Sequence, residues 1–174
     1  MIIAQPTAES QRRFKDTWDS IVGLLNLGHQ ELEKIADAGR MGIALNFATE
    51  SAGGTPWPPL APWTVAERQE LGFAGEHPIL VRSGSLKSSL VDPRHPLNLT
   101  DISTHGGYSY IERIHIELGS LDERFPILHA GGITDEGYYV PARPMTVLAD
   151  ESLQRLETSI IFVIEERWKR LGYR

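Results

Sequence analysis

The sequence predicts an α+β domain: a small antiparallel sheet with helices packed on one face, and a long C-terminal helix. Three observations predict it. Apolar residues recur at helical spacing through the first 50 positions. Ile114, Ile116 and Leu118 alternate with Arg113, His115 and Glu117, the period-two pattern of a half-buried strand. From Leu153 to Leu171 the spacing returns to a helical stripe.

The elements follow in order. Residues 1–10 carry no period and read as a flexible N-terminus, so the domain is expected to span 11–174. Phe14, Trp18, Ile21, Val22 and Leu25 predict a helix over Gln11–Leu27, ended by Gly28. A second helix is predicted from about Gln30 to Glu50. Its stripe is Leu32, Ile35, Ala36, Gly39, Ile43 and Phe47, with Glu31, Glu33, Lys34, Asp37 and Arg40 on the other side. Gly39 and Gly42 each cost about 1 kcal/mol against Ala in a helix interior, which close packing there would justify. Met41, Leu45 and Ala48 lie off the stripe and predict a second covered side.

Gly53 to Leu90 is the organising stretch. Pro56, Pro58, Pro59 and Pro62 exclude helix or central strand from its first part. Trp57, Leu60 and Trp63 stand among them, so the segment reads as an ordered loop whose large side chains plug into the domain. Thr64 and Glu67 fit a capping box for a short helix, Val65–Leu71. Gly72, Gly75 and Pro78 form a second loop, after which Leu86, Ser88 and Leu90 begin a helical turn or a strand. Leu97, Leu99 and Ile102 predict a strand joined to Tyr110–Leu118 through His105-Gly106-Gly107. Ser88–Val91 and Tyr138–Ala142 are further strand candidates. Asp122–Ala130 is a turn or short helix limited by Pro126. Asp150 is a plausible N-cap for the last helix, whose stripe is Leu153, Leu156, Ile160, Val163, Ile164, Trp168 and Leu171. Arg167, Lys169 and Arg170 complement its C-terminal dipole.

Composition narrows the function classes. The 174 residues are 41% hydrophobic and 23% charged, ordinary globular values. With no cysteine, disulfides, thiolate metal sites and a Cys nucleophile are excluded. A net charge of −6 gives none of the basic excess usual for duplex binding. No apolar run is long enough to cross a bilayer, and the charges after MIIAQP stand in the wrong order for a signal peptide. A soluble cytoplasmic protein is expected.

Catalytic motifs are weak. The six histidines lack metal-ligand spacing on a helix face. His105-Gly106-Gly107 matches an esterase oxyanion loop, but no Gly-x-Ser-x-Gly elbow accompanies it. Ser83 and Ser85 have no identifiable base, and the paired glycines lack nucleotide-binding spacing. Pro56-x-x-Pro59 and Pro59-x-x-Pro62 match the minimal polyproline ligand, a pattern common by chance. Arg143, between Pro141 and Pro144, is pre-organised to hold a carboxylate or chain carbonyls. It serves either an intersubunit contact or an internal salt bridge to the C-terminal helix through Glu151. His129 has the same two readings.

Taken in order, these segments resemble one family. Trp57-Pro58-x-Leu60, the short helix ending near Arg68, Ile79-Leu80 and Ser83-Gly84-x-Leu86 precede a strand of Ile114, Ile116, Leu118 and Gly119. Leu128-His129-x-Gly131-Gly132 and Val140-Pro141-Ala142-Arg143-Pro144 follow. The set is similar to phage virion morphogenesis proteins, which include tail-completion protein S. It covers roughly Leu32 to Asp150. Met145 stands where that family usually has an aromatic, and Asp92–Tyr110 is longer and more irregular than its pattern.

The resemblance implies a structural, non-enzymatic virion protein of the tail or head–tail neck, assembled in the host cytoplasm. Its partners would be other tail or neck proteins and copies of itself in a ring, with six-fold symmetry implied and DNA passing through. It implies no cofactor, no metal, no membrane and no specific nucleic-acid binding. Candidate interaction residues are Trp57, Leu60, Trp63, Arg143, Pro144, Ile161 and Phe162. Phe162 lies nine residues past Leu153, about 180° from the core stripe, and Ile161 widens the apolar surface between the two faces. The helix is therefore expected to pack on its own sheet through Leu153, Ile160 and Ile164, and on a neighbouring copy or partner around Phe162. The alternatives are a small hydrolase using His129 or His105 with Asp122 or Asp135, and a module that binds a partner through the proline loop.

Overall fold

The computed structural model describes residues 12, 27–105 and 113–172. The expected flexible N-terminus, the helix over Gln11–Leu27 and the His105-Gly106-Gly107 turn lie outside the described residues, apart from Arg12, Leu27 and the backbone of His105. Among the described residues the fold is α+β, with five helices and three separate two-stranded antiparallel sheets. The single sheet expected from the sequence is replaced by these three hairpins.

Helix α1, His29–Thr49, follows the predicted stripe, and Gly28 is its N-cap. Both of its interior glycines are close approaches. A Cβ on Gly39 would lie 2.8 Å from Leu118 Cδ1, and one on Gly42 would lie 2.8 Å from Leu148 Cδ2. On the expected second covered side Met41 and Ala48 are exposed and only Leu45 is half-buried. The polar side is not all solvent-facing either, since Glu31 and Arg40 are buried. Arg40 Nη1 reaches Asp37 at 2.6 Å and its Nη2 donates to Thr100 Oγ1 at 3.0 Å.

Strands β1 (Ser51–Ala52) and β2 (Thr55–Pro56) pair across Gly53-Gly54. Both glycines have positive φ, +55° and +81°, as a tight hairpin turn demands. Helix α2 is Pro62–Glu70 with Ala61 as N-cap, so Thr64 is an interior residue and not the cap. The fixed φ of Pro62 suits the first helical position and starts the helix earlier. Helix α3, Ser85–Val91, replaces the strand considered at Ser88–Val91.

Strands β3 (Asn98–His105) and β4 (Arg113–Ser120) form the longest hairpin, with Ile102 opposite Ile116 and Thr100 opposite Leu118. Helix α4, Phe125–Ala130, takes Pro126 in its first turn. Strands β5 (Gly132–Ile133) and β6 (Tyr139–Val140) pair only with each other. Helix α5, Asp150–Arg170, begins at Asp150, with Ala149 as the cap.

Two apolar clusters share α1. One gathers Ile43, Phe47, Ala52, Trp57, Ile79, Leu86, Leu90 and Met145. The other joins Leu27, Leu32, Ile35 and Val163, with Ile102, Ile116, Leu156 and Ile160 packed against them. The buried stripe of α5 is thus rotated from the expected one. Ser152 and Val163 are its buried residues, whereas Leu153 is exposed. At about 100° per residue, positions 152, 156, 160, 163 and 167 share the side centred on Val163, and Leu153 falls at its edge.

Candidate interaction site around the proline loop

The loop after β2 is anchored by one tryptophan, not two. Trp57 is 5% exposed and meets Phe47 edge-on at 5.4 Å. Its main-chain N–H donates to Glu50 O at 2.7 Å and its indole Nε1–H to Pro144 O at 3.3 Å. Trp63 is 62% exposed, because Pro62 turns the chain into α2 and carries the ring outward. There it lies 6.0 Å from the ring of exposed Tyr138. Leu60 and Pro144 are half-buried.

Arg143 closes the loop from the other side. Its Nε donates to Pro58 O at 3.0 Å and its Nη2 to Pro59 O at 2.9 Å. Proline carbonyls in such a loop have no ladder partner, so a rigid two-pronged donor satisfies them together. Of the two sequence readings, the chain carbonyls are the ones occupied. The proposed link to Glu151 does not form, since that carboxylate pairs with Arg155 at 2.6 Å. Burial pushes the Arg143 pKa down from its ordinary value, though a guanidinium stays charged throughout the physiological range.

His129 supports the same segment. Its Nδ1 accepts the Met145 N–H at 3.0 Å, and its ring lies 5.1 Å from Phe125. Burial lowers its pKa, favouring the neutral ring that this acceptor role needs. The main-chain N–H of Arg143 donates to Leu128 O at 3.1 Å. Buried Asn46 ties α1 to the same stretch, donating from Nδ2 to Met145 O at 2.9 Å and Val147 O at 2.8 Å.

Asp122 is buried and gripped by Arg124, with Nε at 2.8 Å from Oδ1 and Nη2 at 2.5 Å from Oδ2. The Arg124 hydrogen bond, opposed by burial, holds the Asp122 carboxyl below its ordinary pKa. Asp135 is exposed in the turn between β5 and β6.

Beside the loop is a pocket of about 310 Å³, walled by Leu60, Trp63, Leu80, Leu86, Leu128 and Val140. Arg68, Arg82, Arg124 and Arg143 also line it, and no Asp or Glu does. Arg68 is 4% exposed and donates from Nη2 to Pro78 O and Val81 O, at 3.1 and 3.0 Å. Sequence reading missed Arg68, Asn46 and Glu31 as buried polar residues, because their partners are remote in the chain.

Ile161 and Phe162 are exposed, 58% and 54%. They lie on α5, none of whose residues lines the pocket, so the candidate interaction residues divide between two surfaces. One ligand-like grouping was invisible in the sequence. Asp101, His115 and Glu117 bring one donor atom each within 4.8 Å of one another on the exposed side of the β3–β4 hairpin. His115 and Glu117 share a face by their alternation, and cross-strand register adds Asp101 opposite Glu117. All three are exposed, and surface acidic groups cluster commonly without an ion. No helix among the described residues is long and apolar enough to cross a membrane. Comparison with protein-family models, with curated proteins and with solved structures finds no match to this chain.

Proposed function

We propose that this chain is a structural assembly protein of a phage tail or head–tail neck, which completes the tail or prepares it to join the head. One observation supports the reading above others: segments far apart in sequence that carry the resemblance meet in space. The Trp57-Pro58 loop is held by Arg143 and Pro144, and the Leu128-His129 segment supports Arg143 and Met145. A motif set that serves one architecture would be joined in this way. Its work is then noncovalent, done by loop hydrophobes, helix faces and charged rims that meet other tail or neck proteins in a ring, with DNA passing through it. The sites of action are the host cytoplasm during assembly and the virion afterwards.

The hydrolase reading has weaker support. His129 Nδ1 is engaged by the Met145 amide, and both oxygens of Asp122 are engaged by Arg124. A general base needs a free acceptor within reach of its proton. The test is electron microscopy of particles from a phage lacking this gene. Free heads beside tails of abnormal length or with bare ends are expected. Normal infectious virions would overturn the proposal.

A further inference from the structure

Arg68 and Arg143 are each 4% exposed, and both line the pocket beside the proline loop. Main-chain carbonyls are their hydrogen-bond partners, and no carboxylate lies within salt-bridge distance of either among the described residues. Arg68 Nε has no hydrogen-bond partner at all. A buried cation without a counter-ion is costly, and an incoming carboxylate offsets that cost. Arg82, 46% exposed, and Arg124, 49% exposed, stand at the rim, where Glu67 and Asp122 respectively pair with them. The walls between the guanidinium groups are apolar. The chemistry that fits is a carboxylate carried between apolar side chains.

This chain displays that chemistry elsewhere. On α5, Leu153, Glu157 and Ile161 follow at four-residue intervals and share one exposed side. Leu153 is 43% and Ile161 58% exposed, and Glu157 makes no salt bridge among the described residues. Pocket and helix side are different surfaces of one subunit, since no α5 residue lines the pocket. We propose that the arginine-lined pocket of one copy receives the Leu153–Glu157–Ile161 side of α5 from a second copy. Different patches meeting head to tail make a heterologous contact, which closes into a ring when the rotation permits. The contact deepens the assembly reading and rests on it only for the premise that copies meet.

The experiment uses sedimentation of the full chain at low and high salt, with Glu157→Arg and Arg82→Glu as two exposed charge reversals. Circular dichroism checks that each variant is folded. Wild type is expected to exceed the 19.4 kDa monomer mass and to fall towards it as salt screens the contact. Each reversal alone should weaken self-association by about tenfold or more. An equimolar mixture of the two variants retains one intact helix side and one intact pocket. It should therefore associate, one variant with the other, more tightly than either variant does alone. A wild type that stays monomeric at high concentration and low salt overturns the contact. So does an oligomer indifferent to both reversals, or a mixture that remains two monomers. None of these touches the phage-deletion result, so the two proposals fail separately.

Discussion

Trp57 and Trp63 sit six positions apart in one loop and face different surroundings. Trp57 packs on Phe47 within the larger cluster, whereas Trp63 is solvent-facing beside Tyr138. Trp57→Ala is expected to destabilise the fold by about 3–5 kcal/mol, as large aromatic truncations in cores do. Trp63→Ala should stay within about 0.5 kcal/mol, as surface changes do. Urea titrations of the two variants read the difference, and equal losses would contradict this assignment of the rings. For Arg143 the prediction concerns shape rather than charge. Its two prongs hold two successive proline carbonyls. Arg143→Lys keeps the charge and loses the fork, so it should lower the melting temperature nearly as far as Arg143→Ala. A lysine variant that melts like wild type would show the fork to be dispensable.

Among the elements, α1 and α5 are clamped at their ends by opposite charges. Glu31, in the first turn of α1, accepts the Gly28 N–H at 2.6 Å and the Arg167 Nη1 at 2.8 Å, and also pairs with Arg170. An anion at one helix start and cations at another helix end suit both dipoles. Burial alone would raise the Glu31 pKa, but the Gly28 amide and the two arginines together bring it below the ordinary 4.5. A depressed carboxyl stabilises the fold above its unfolded pKa, and that stability is lost as pH falls through the folded value. Glu31→Gln should therefore cost about 1–3 kcal/mol near neutral pH. The gap from wild type should shrink as pH drops below 4.5, and thermal melts across that range check the sign. The helices were legible because their period is local: α1 and α5 lie within a residue or two of the predicted ends. What was not legible depends on partners far along the chain. Glu31 and Arg40 read as solvated until Arg167, Arg170 and Thr100 are placed beside them. The pairing read through Leu97, Leu99 and Ile102 did form, as β3 with β4, but the partner of Tyr139–Val140 was not legible, since its alternation is the same whether it joins β4 or β5. At the site, chain carbonyls were one of the two partner types that the flanking prolines of Arg143 allowed, and the salt bridge to Glu151 read beside them does not form. The outward turn of Trp63 was not, because it depends on Pro62 starting α2.

At the scale of the whole molecule, α1 belongs to both clusters. Leu32 and Ile35 serve one, Ile43 and Phe47 the other. Unfolding followed by Trp57 fluorescence, with Trp18, Trp63 and Trp168 replaced by Phe, and by far-ultraviolet circular dichroism should give coincident transitions, as one cooperative unit does. Separated midpoints would mean that the clusters melt independently. The latch between the proline loop and Arg143 also has a consequence in time. The carbonyls of Pro58 and Pro59 find their donor 85 and 84 residues later, and the Trp57 indole finds its acceptor at Pro144. During synthesis the chain is made from the N-terminus. A ribosome that has passed the loop but not yet reached Arg143 therefore holds a half-made protein whose loop is unlatched. Met145, one of the most buried side chains, is also missing from the core until that moment. Any product truncated before Pro144 is left with a buried-type tryptophan and bare proline carbonyls, and is a ready substrate for the cell's proteases.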